Sequence, residues 1–198
     1  MNLSINMDIK TLNKIKHYAK NEYNQAKDKY HDFDHIERVV KNALGITDRL
    51  KFSEGFDKNL LLAACYLHDI VITKRNNSNF LKKFYNHIFE KLLNKKYIRK
   101  ILKNFSLPLN EEQILALTII NHPHSIPYHS LNRHNDLYSK ILQDADSLDY
   151  ISLERTRNFI YGKRKILIYF FNIYLTWIRK NIRHFLNIQE SLDQLKSI

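Results

Sequence analysis

A chain of 198 residues can bury a real core as one domain, and its single cysteine, Cys65, excludes an intrachain disulfide or a disulfide scaffold. Lys and Arg number 32 against 20 Asp and Glu, giving a formal charge of +12 and a pI near 9.6; the lysines are scattered along helical segments in a Lys-, Asn-, Ile- and Tyr-rich composition, which favours a solvated basic surface over a nucleic-acid footprint. Met1 to Lys10 lacks the order of a secretory signal, and the longest apolar stretch, Ile166 to Ile178, is about thirteen residues, interrupted by Asn172 and Thr176 and short of the roughly twenty a bilayer crossing needs, so a cytoplasmic protein is expected.

Scarce Gly and Pro, three of each, and apolar residues recurring three and four apart predict an all-α fold, a single-domain helical bundle. The first helix is expected over Asp8 to Asp28, with Ile9, Leu12, Ile15, Ala19, Tyr23 and Ala26 as its buried stripe. A second covers Asp34 to Leu50 and closes on the turn Ser53-Glu54-Gly55; a third starts at the cap Asp57 and runs to His68-Asp69. Thr73 to Asn79 reads as loop, Phe80 to Asn104 as a fourth helix ended by Leu107-Pro108-Leu109. Asn110, followed by Glu111, Glu112 and Gln113, resembles a capping box opening a fifth helix to Asn121. After a loop from Pro123 to Asn135 come helices over Leu137 to Gly162, with a break expected near Asp144, and Lys163 to Leu186, then a short terminal helix. The organisation expected is an N-terminal helix within 1–29 packed on a core of 30–162, with 163–198 a helical extension of the same domain. The helix over 165–180 carries Tyr169, Phe170, Phe171, Tyr174 and Trp177 and is apolar almost all round, which suggests core or a homodimer interface. Its basic end, Arg179, Lys180 and Arg183, makes membrane-surface docking a minor alternative.

Chemistry enters with residues dispersed along the chain: His35, the pair His68-Asp69, and Asp146 within Gln143-Asp144-Ala145-Asp146-Ser147-Leu148-Asp149. Two imidazoles and two carboxylates without thiolates disfavour a structural zinc site and suit Mn²⁺, Fe²⁺, Co²⁺ or Ni²⁺. With the second and third helices paired as a hairpin, His35 at the start of one and His68-Asp69 at the end of the other reach the same end. A His-Asp dipeptide alone is uninformative, since His31-Asp32 is a second one. Cys65, inside an apolar helix, reads as a buried structural thiol.

Taken together, His31-Asp32-Phe33-Asp34-His35-Ile36-Glu37-Arg38-Val39, Leu61-Leu62-Ala63-Ala64-Cys65-Tyr66-Leu67-His68-Asp69-Ile70 and Ile141-Leu142-Gln143-Asp144-Ala145-Asp146-Ser147-Leu148-Asp149 resemble the HD-domain metal-dependent phosphohydrolase superfamily, from Tyr30 to Phe159. The resemblance implies His35, His68, Asp69 and Asp146 as metal ligands, with Asp144 the competitor for the last place. It also implies manganese as the preferred ion, with Mg²⁺ another possibility, and hydrolysis of a small phosphorylated compound, a nucleotide above all. Asp69 would both hold the ion and orient water.

Phosphate needs cations and donors. Arg38 lies three residues after His35 on one helical face, Lys74 and Arg75 follow the His-Asp pair, and Arg157 stands eleven residues after Asp146, three turns along one stripe if that helix is continuous, with Arg155 beside it. His31, four residues before His35, is a candidate substrate contact. His122 is a candidate phosphate donor or second-metal ligand, because the resemblance places a histidine near this point, while His124 and His129 read as turn or capping residues. Relatives usually carry acidic residues where this chain has Ile72 and Thr73, and an arginine where it has Ser147. Those departures motivate a second reading, a weakly active or inactive metal- and nucleotide-binding regulatory module; a basic nucleic-acid-binding helical protein is the third.

Overall fold

The computed structural model describes residues 6–26, 31–50, 55–75, 80–123, 136–161 and 163–195, and among these every regular element is helical. Aspartates cap four of the described helices, at Asp8, Asp32, Asp57 and Asp136. Asp8 caps α1 (Ile9–Gln25) by accepting from Thr11 N at 2.9 Å, Asp32 caps α2 (Phe33–Thr47) by accepting from His35 N at 2.8 Å, and Asp57 caps α3 (Lys58–Leu67) through Asn59 N and Leu60 N. Asp57 also accepts from Met7 N at 2.5 Å, tying the chain ahead of α1 to the head of α3. Gly55, just ahead of α3, has φ +102°, a conformation that favours glycine. The other two residues of the expected turn, Ser53 and Glu54, lie outside the described residues, as do His124 and His129.

From α1, Leu12, Ile15, Ala19 and Tyr23 enter the core, but Ile9, expected in that stripe, is exposed because it precedes the first packed turn. α1 rests on α3 and on α4 (Ile70–Arg75), which continues almost directly from α3; Thr73, Lys74 and Arg75, expected as loop, are therefore helical. Buried Ile70, Val71 and Ile72 hold this extra turn in the core, an apolar run that outweighs the polar residues after it.

The expected helix over Phe80 to Asn104 is two helices, α5 (Phe80–Ile88) and α6 (Glu90–Leu102), with the break at Phe89. No Gly or Pro marks this break; packing makes it, since α6 turns Glu90, Leu93, Asn94, Ile98 and Leu102 inward against α7 (Leu109–Asn121). Pro108 precedes α7 with no side-chain cap, so Asn110 sits inside the helix and the expected capping box is not formed. The stretch Leu137 to Gly162 breaks not near Asp144 but at Ile151-Ser152, where Ser152 Oγ accepts from Arg155 N and opens α9 (Leu153–Ile160) after α8 (Leu137–Tyr150). The last stretch is α10 (Lys165–Lys180), a 3₁₀ turn at Ile182–His184, and α11 (Gln189–Leu195).

α8 lies along α2, joined by Asn42 Nδ2 donating to Ala145 O at 3.0 Å, and α3 packs against α1, α2, α7 and α8. Ile36, Val39, Ala43 and Ile46 of α2, Leu61, Ala64 and Leu67 of α3, and Ile141, Leu142 and Ala145 of α8 form the shared core, where each large side chain contributes about 1.5–3 kcal/mol by leaving water. Ile178, Ile182, Phe185 and Leu186 carry the end of the chain into the same core. This frame fixes one end of α2, α3 and α8, where the polar residues of interest sit.

Candidate metal centre

His35 stands in the first turn of α2, His68 caps the end of α3, Asp69 links α3 to α4, and Asp146 lies on α8. Their side chains meet. His35 Nε2 is 3.4 Å from Asp69 Oδ2 and 3.5 Å from Asp146 Oδ1; His68 Nε2 is 3.3 Å from the same Asp69 oxygen. Donor atoms held about 2.1 Å from one ion stand about 3 Å apart, so these separations have the scale of a coordination shell. A second grouping shares two members: ligand atoms of His68, Asp69 and His122, the last at the end of α7, all lie within 4.8 Å of one another.

The far nitrogens decide which ring atoms face inward. His68 Nδ1 pairs with Cys65 O at 2.8 Å, His122 Nδ1 with Ile119 O at 2.7 Å, and His35 Nδ1 with Asp149 Oδ2 at 2.7 Å. A carbonyl can only accept, so His68 and His122 carry a proton on Nδ1 and offer an Nε2 lone pair; the carboxylate selects the same tautomer for His35. Nε2 of His35 and of His68 are buried and have no hydrogen-bond partner. Buried acceptors without partners cost about 1–3 kcal/mol each, and a divalent cation is the group that would satisfy both at once. The donor set fits such an ion.

The charges agree. Burial raises the Asp69 carboxyl, but the imidazoles of His68, His31 and His35 more than reverse this and hold it well below the usual carboxylate range. Burial lowers His68, yet the carboxylates of Asp69 and Asp146 outweigh it and lift the imidazole to about 9. Without a metal, this anionic pocket collects a proton instead.

Of the substrate candidates, His31 is buried with Nε2 3.8 Å from Asp69 Oδ2, its ring 4.9 Å from that of His87. Arg38 Nε donates to Asp149 Oδ1 at 2.5 Å, and its Nη2 is buried without a partner. Lys74, expected at phosphate, is instead engaged on α1, donating to Glu22 at 2.7 Å and to Tyr18 OH at 3.1 Å, because the extra turn of α4 carries it to that side. Arg75 lies over the Tyr97 ring, 5.0 Å from its centroid. Arg157 is exposed on α9; the break at Ser152 removes the continuous stripe on which its placement rested, and Arg155 turns inward, 3.7 Å from Asp149. Asp144 faces the other way: its carboxylate accepts from Asn187 N, Ile188 N and Ser191 Oγ and so holds the start of α11. Ile72, Thr73 and Ser147 are all buried, and Thr73 Oγ1 and Ser147 Oγ have no hydrogen-bond partner among the described residues.

Two residues gain roles that motif reading did not assign. Asp149, fully buried, receives His35, Arg38 and Arg155 together. Its carboxyl, pushed up by burial, is drawn down to about 2 by His35, Arg38 and Arg155. It lies three residues after Asp146, hence on the same face of α8, a spacing that could have marked it. Glu90, at the head of α6, lies 3.4 Å from His122 Nε2 and 3.9 Å from His87; burial raises it and the two imidazoles bring it to about 2. No local signal points to Glu90.

Three helices converging on a histidine- and carboxylate-lined pocket, with the His-Asp pair at the junction of α3 and α4, define an HD-type metal-binding bundle. The HD domain family matches residues 32–151, and the chain belongs to it. No curated protein matches the chain. Among solved structures, the crystal structure of a predicted HD superfamily hydrolase from an uncultured Thermotogales bacterium is similar, with 21% identity over 92% of this chain and 94% of that one and a TM-score of 0.47.

Proposed function

We propose that this protein is a metal-dependent phosphohydrolase of small phosphorylated compounds, with nucleotides as the substrate class and Mn²⁺ as the preferred ion. One observation carries the reading: the partnerless Nε2 atoms of His35 and His68, in tautomers set by Asp149 and Cys65 O, face the carboxylates of Asp69 and Asp146 at about the ligand-to-ligand spacing of a coordination shell. His35, His68, Asp69 and Asp146 hold the ion. When bound, the ion supplies Lewis-acid activation of water and of a phosphoryl oxygen.

The remaining work falls to the chain itself. Asp69 Oδ2, facing three imidazoles, is the acceptor that orients the attacking water. Arg38, anchored through Nε on Asp149, keeps Nη2 for a nonbridging phosphate oxygen, where a charge-assisted hydrogen bond would stabilise developing charge. His31 and His122 also lie close to Asp69, the first as a substrate contact, the second as a donor to phosphate or a ligand to a further ion. Glu90 brings to this region a buried carboxylate that Ile72 and Thr73 cannot supply.

The test is phosphate or pyrophosphate release from a nucleotide panel with Mn²⁺, alongside elemental analysis of the purified protein. His68→Ala and Asp69→Ala should abolish both release and metal retention. Full metal occupancy with no release on any panel member would favour the regulatory module, a reading that the engagement of Lys74 by Glu22 supports.

A further inference from the structure

The outer face of α10 does not belong to the core. Ile166, Tyr169, Phe170, Ile173 and Trp177 recur three and four apart, lie on one side of the helix, and are each more than half exposed. The opposite side buries Leu175 and Ile178. An apolar stripe this long in water is an interaction surface rather than scattered surface residues.

Charge identifies the occupant. Between Glu154 and Glu190 the chain has no acidic residue, and those 35 positions carry eight cations: Arg155, Arg157, Lys163, Arg164, Lys165, Arg179, Lys180 and Arg183. Two thirds of the formal excess of +12 thus falls in under a fifth of the sequence. Arg155 is buried beside Asp149, and Arg179, though exposed, donates to Ile151 O; of the other six, all exposed, Lys163, Arg164 and Lys165 stand at the start of α10, Lys180 and Arg183 at its end, and Arg157 on α9. Arg164 and Lys165 sit at the helix N-terminus, where the macrodipole favours acidic groups, so helix stability does not explain them. A compositional drift toward lysine adds cations but does not remove every Asp and Glu from the same stretch.

We infer that α10 is an interfacial helix that docks on an anionic phospholipid surface, with the stripe seated at the level of the acyl boundary and the basic ends on headgroup phosphates. Tyr169 and Trp177 are the residue types favoured at that depth. At 16 residues α10 lies on the bilayer; among the described residues no helix is long and apolar enough to cross a membrane. A second copy of the chain fits less well, because pairing two α10 faces in either direction sets basic end against basic end. Nucleic acid would use the cations but leave five large apolar side chains in water.

Trp177 is the chain's only tryptophan, which makes it a direct reporter. The experiment adds full-length protein to vesicles of phosphatidylcholine alone and of equimolar phosphatidylcholine and phosphatidylglycerol, following Trp177 emission and co-sedimentation. The expected result is a blue shift and co-sedimentation with the anionic vesicles only, weakened by about tenfold or more at about 0.5 M NaCl. Phe170→Asp with Ile173→Asp should abolish binding. Lys165→Glu with Lys180→Glu, at exposed positions that leave both the core and the stripe intact, should weaken it by about tenfold or more, with folding of each variant followed by circular dichroism. Unmoved emission with anionic vesicles overturns the inference. So does a lipid-free dimer that Phe170→Asp dissolves, or a blue shift produced by an RNA oligonucleotide and not by the anionic vesicles.

Discussion

Two regions of this molecule depart from the usual sorting of polar and apolar groups, in opposite directions. At the joined ends of α2, α3 and α8, imidazole nitrogens are buried without partners; along α10, large apolar side chains stand in water. Ordinary folded chains avoid both. The difference lies in what suits each region: the first a compact positive charge at a fixed point, the second a broad surface that is apolar within and anionic at its margins. In the polar pocket the rings of His35, His68 and His122 are each held from behind by a carbonyl or carboxylate, whereas the apolar face rests on one side of a single helix.

The largest test of the contrast removes the charge-binding atoms. Wild type at an Mn²⁺ concentration about a hundred times its dissociation constant should gain about 2.7 kcal/mol, read as a rise of several degrees in the thermal midpoint and reversed by a chelator. His68→Ala and Asp69→Ala should show no rise at all. A second test is Asp149→Asn, which keeps the shape but weakens the hold on His35 Nδ1. Metal affinity should fall by about 10–100-fold, and the metal-free protein should lose about 3 kcal/mol because Arg38 and Arg155 face a buried amide in place of a charge. Equal metal affinity in this variant would show that the orientation of His35 does not matter.

Asp144 and Asp146 offer a sharper pair, two residues apart on α8. Asp146→Ala should lose metal retention with little change in stability. Asp144→Ala should retain metal and cost about 1–2 kcal/mol by freeing the start of α11. Calorimetric titration and denaturant melts on both variants separate the two outcomes.

That pair also marks where sequence reading was strong. The presence of α2 and α3, the Asp57 cap of α3 and the meeting of His35 with His68-Asp69 were legible, because a short hairpin sets both ends locally and the motif spacing is dense, whereas α2 starts on Asp32 and ends at Thr47, inside the expected Leu50. Asp146 and Asp144 share an acidic phrase and differ only by helical phase, which sequence alone orders weakly; α8 turns one toward α2 and the other toward α11. The break at Ser152 has a readable signal, a serine three residues before Arg155 in capping position, and it removes the continuous stripe that would link Arg157 to Asp146. The break at Phe89 had none. Glu90 reaches His122 through the packing of α6 on α7, a contact that no local pattern encodes. The cations were overcounted for a related reason: Lys74 looks available until α4 gains a turn and α1 brings Glu22 to it.

Acidity probes the buried polar region more gently. The Asp149 carboxyl, at about 2 in the folded chain, lies below its unfolded value near 3.8. A lowered carboxylate contributes stability that is whole above the unfolded value and is lost as pH falls through the folded one. About 2 kcal/mol should therefore disappear between pH about 4 and about 2, and the Asp149→Asn variant should show a flatter acid limb in urea melts over that window. A parallel acid limb in the variant would mean that His35 and the two arginines do not discriminate between its protonation states.

The smallest effect belongs to the apolar face, and its smallness is the point. If the stripe on α10 serves a partner rather than the fold, truncating it costs the isolated protein almost nothing: Ile173→Ala should shift unfolding by no more than about 0.5 kcal/mol. The same truncation at Ile178, one and a half turns on and fully buried, removes core packing and should cost about 2–5 kcal/mol. Chemical denaturation of the two variants side by side compares the faces of one helix with the residue type held constant. A cost at Ile173 approaching that at Ile178 would mean that the stripe packs against the protein itself in solution, and the contrast between the two regions would then reduce to the metal pocket alone.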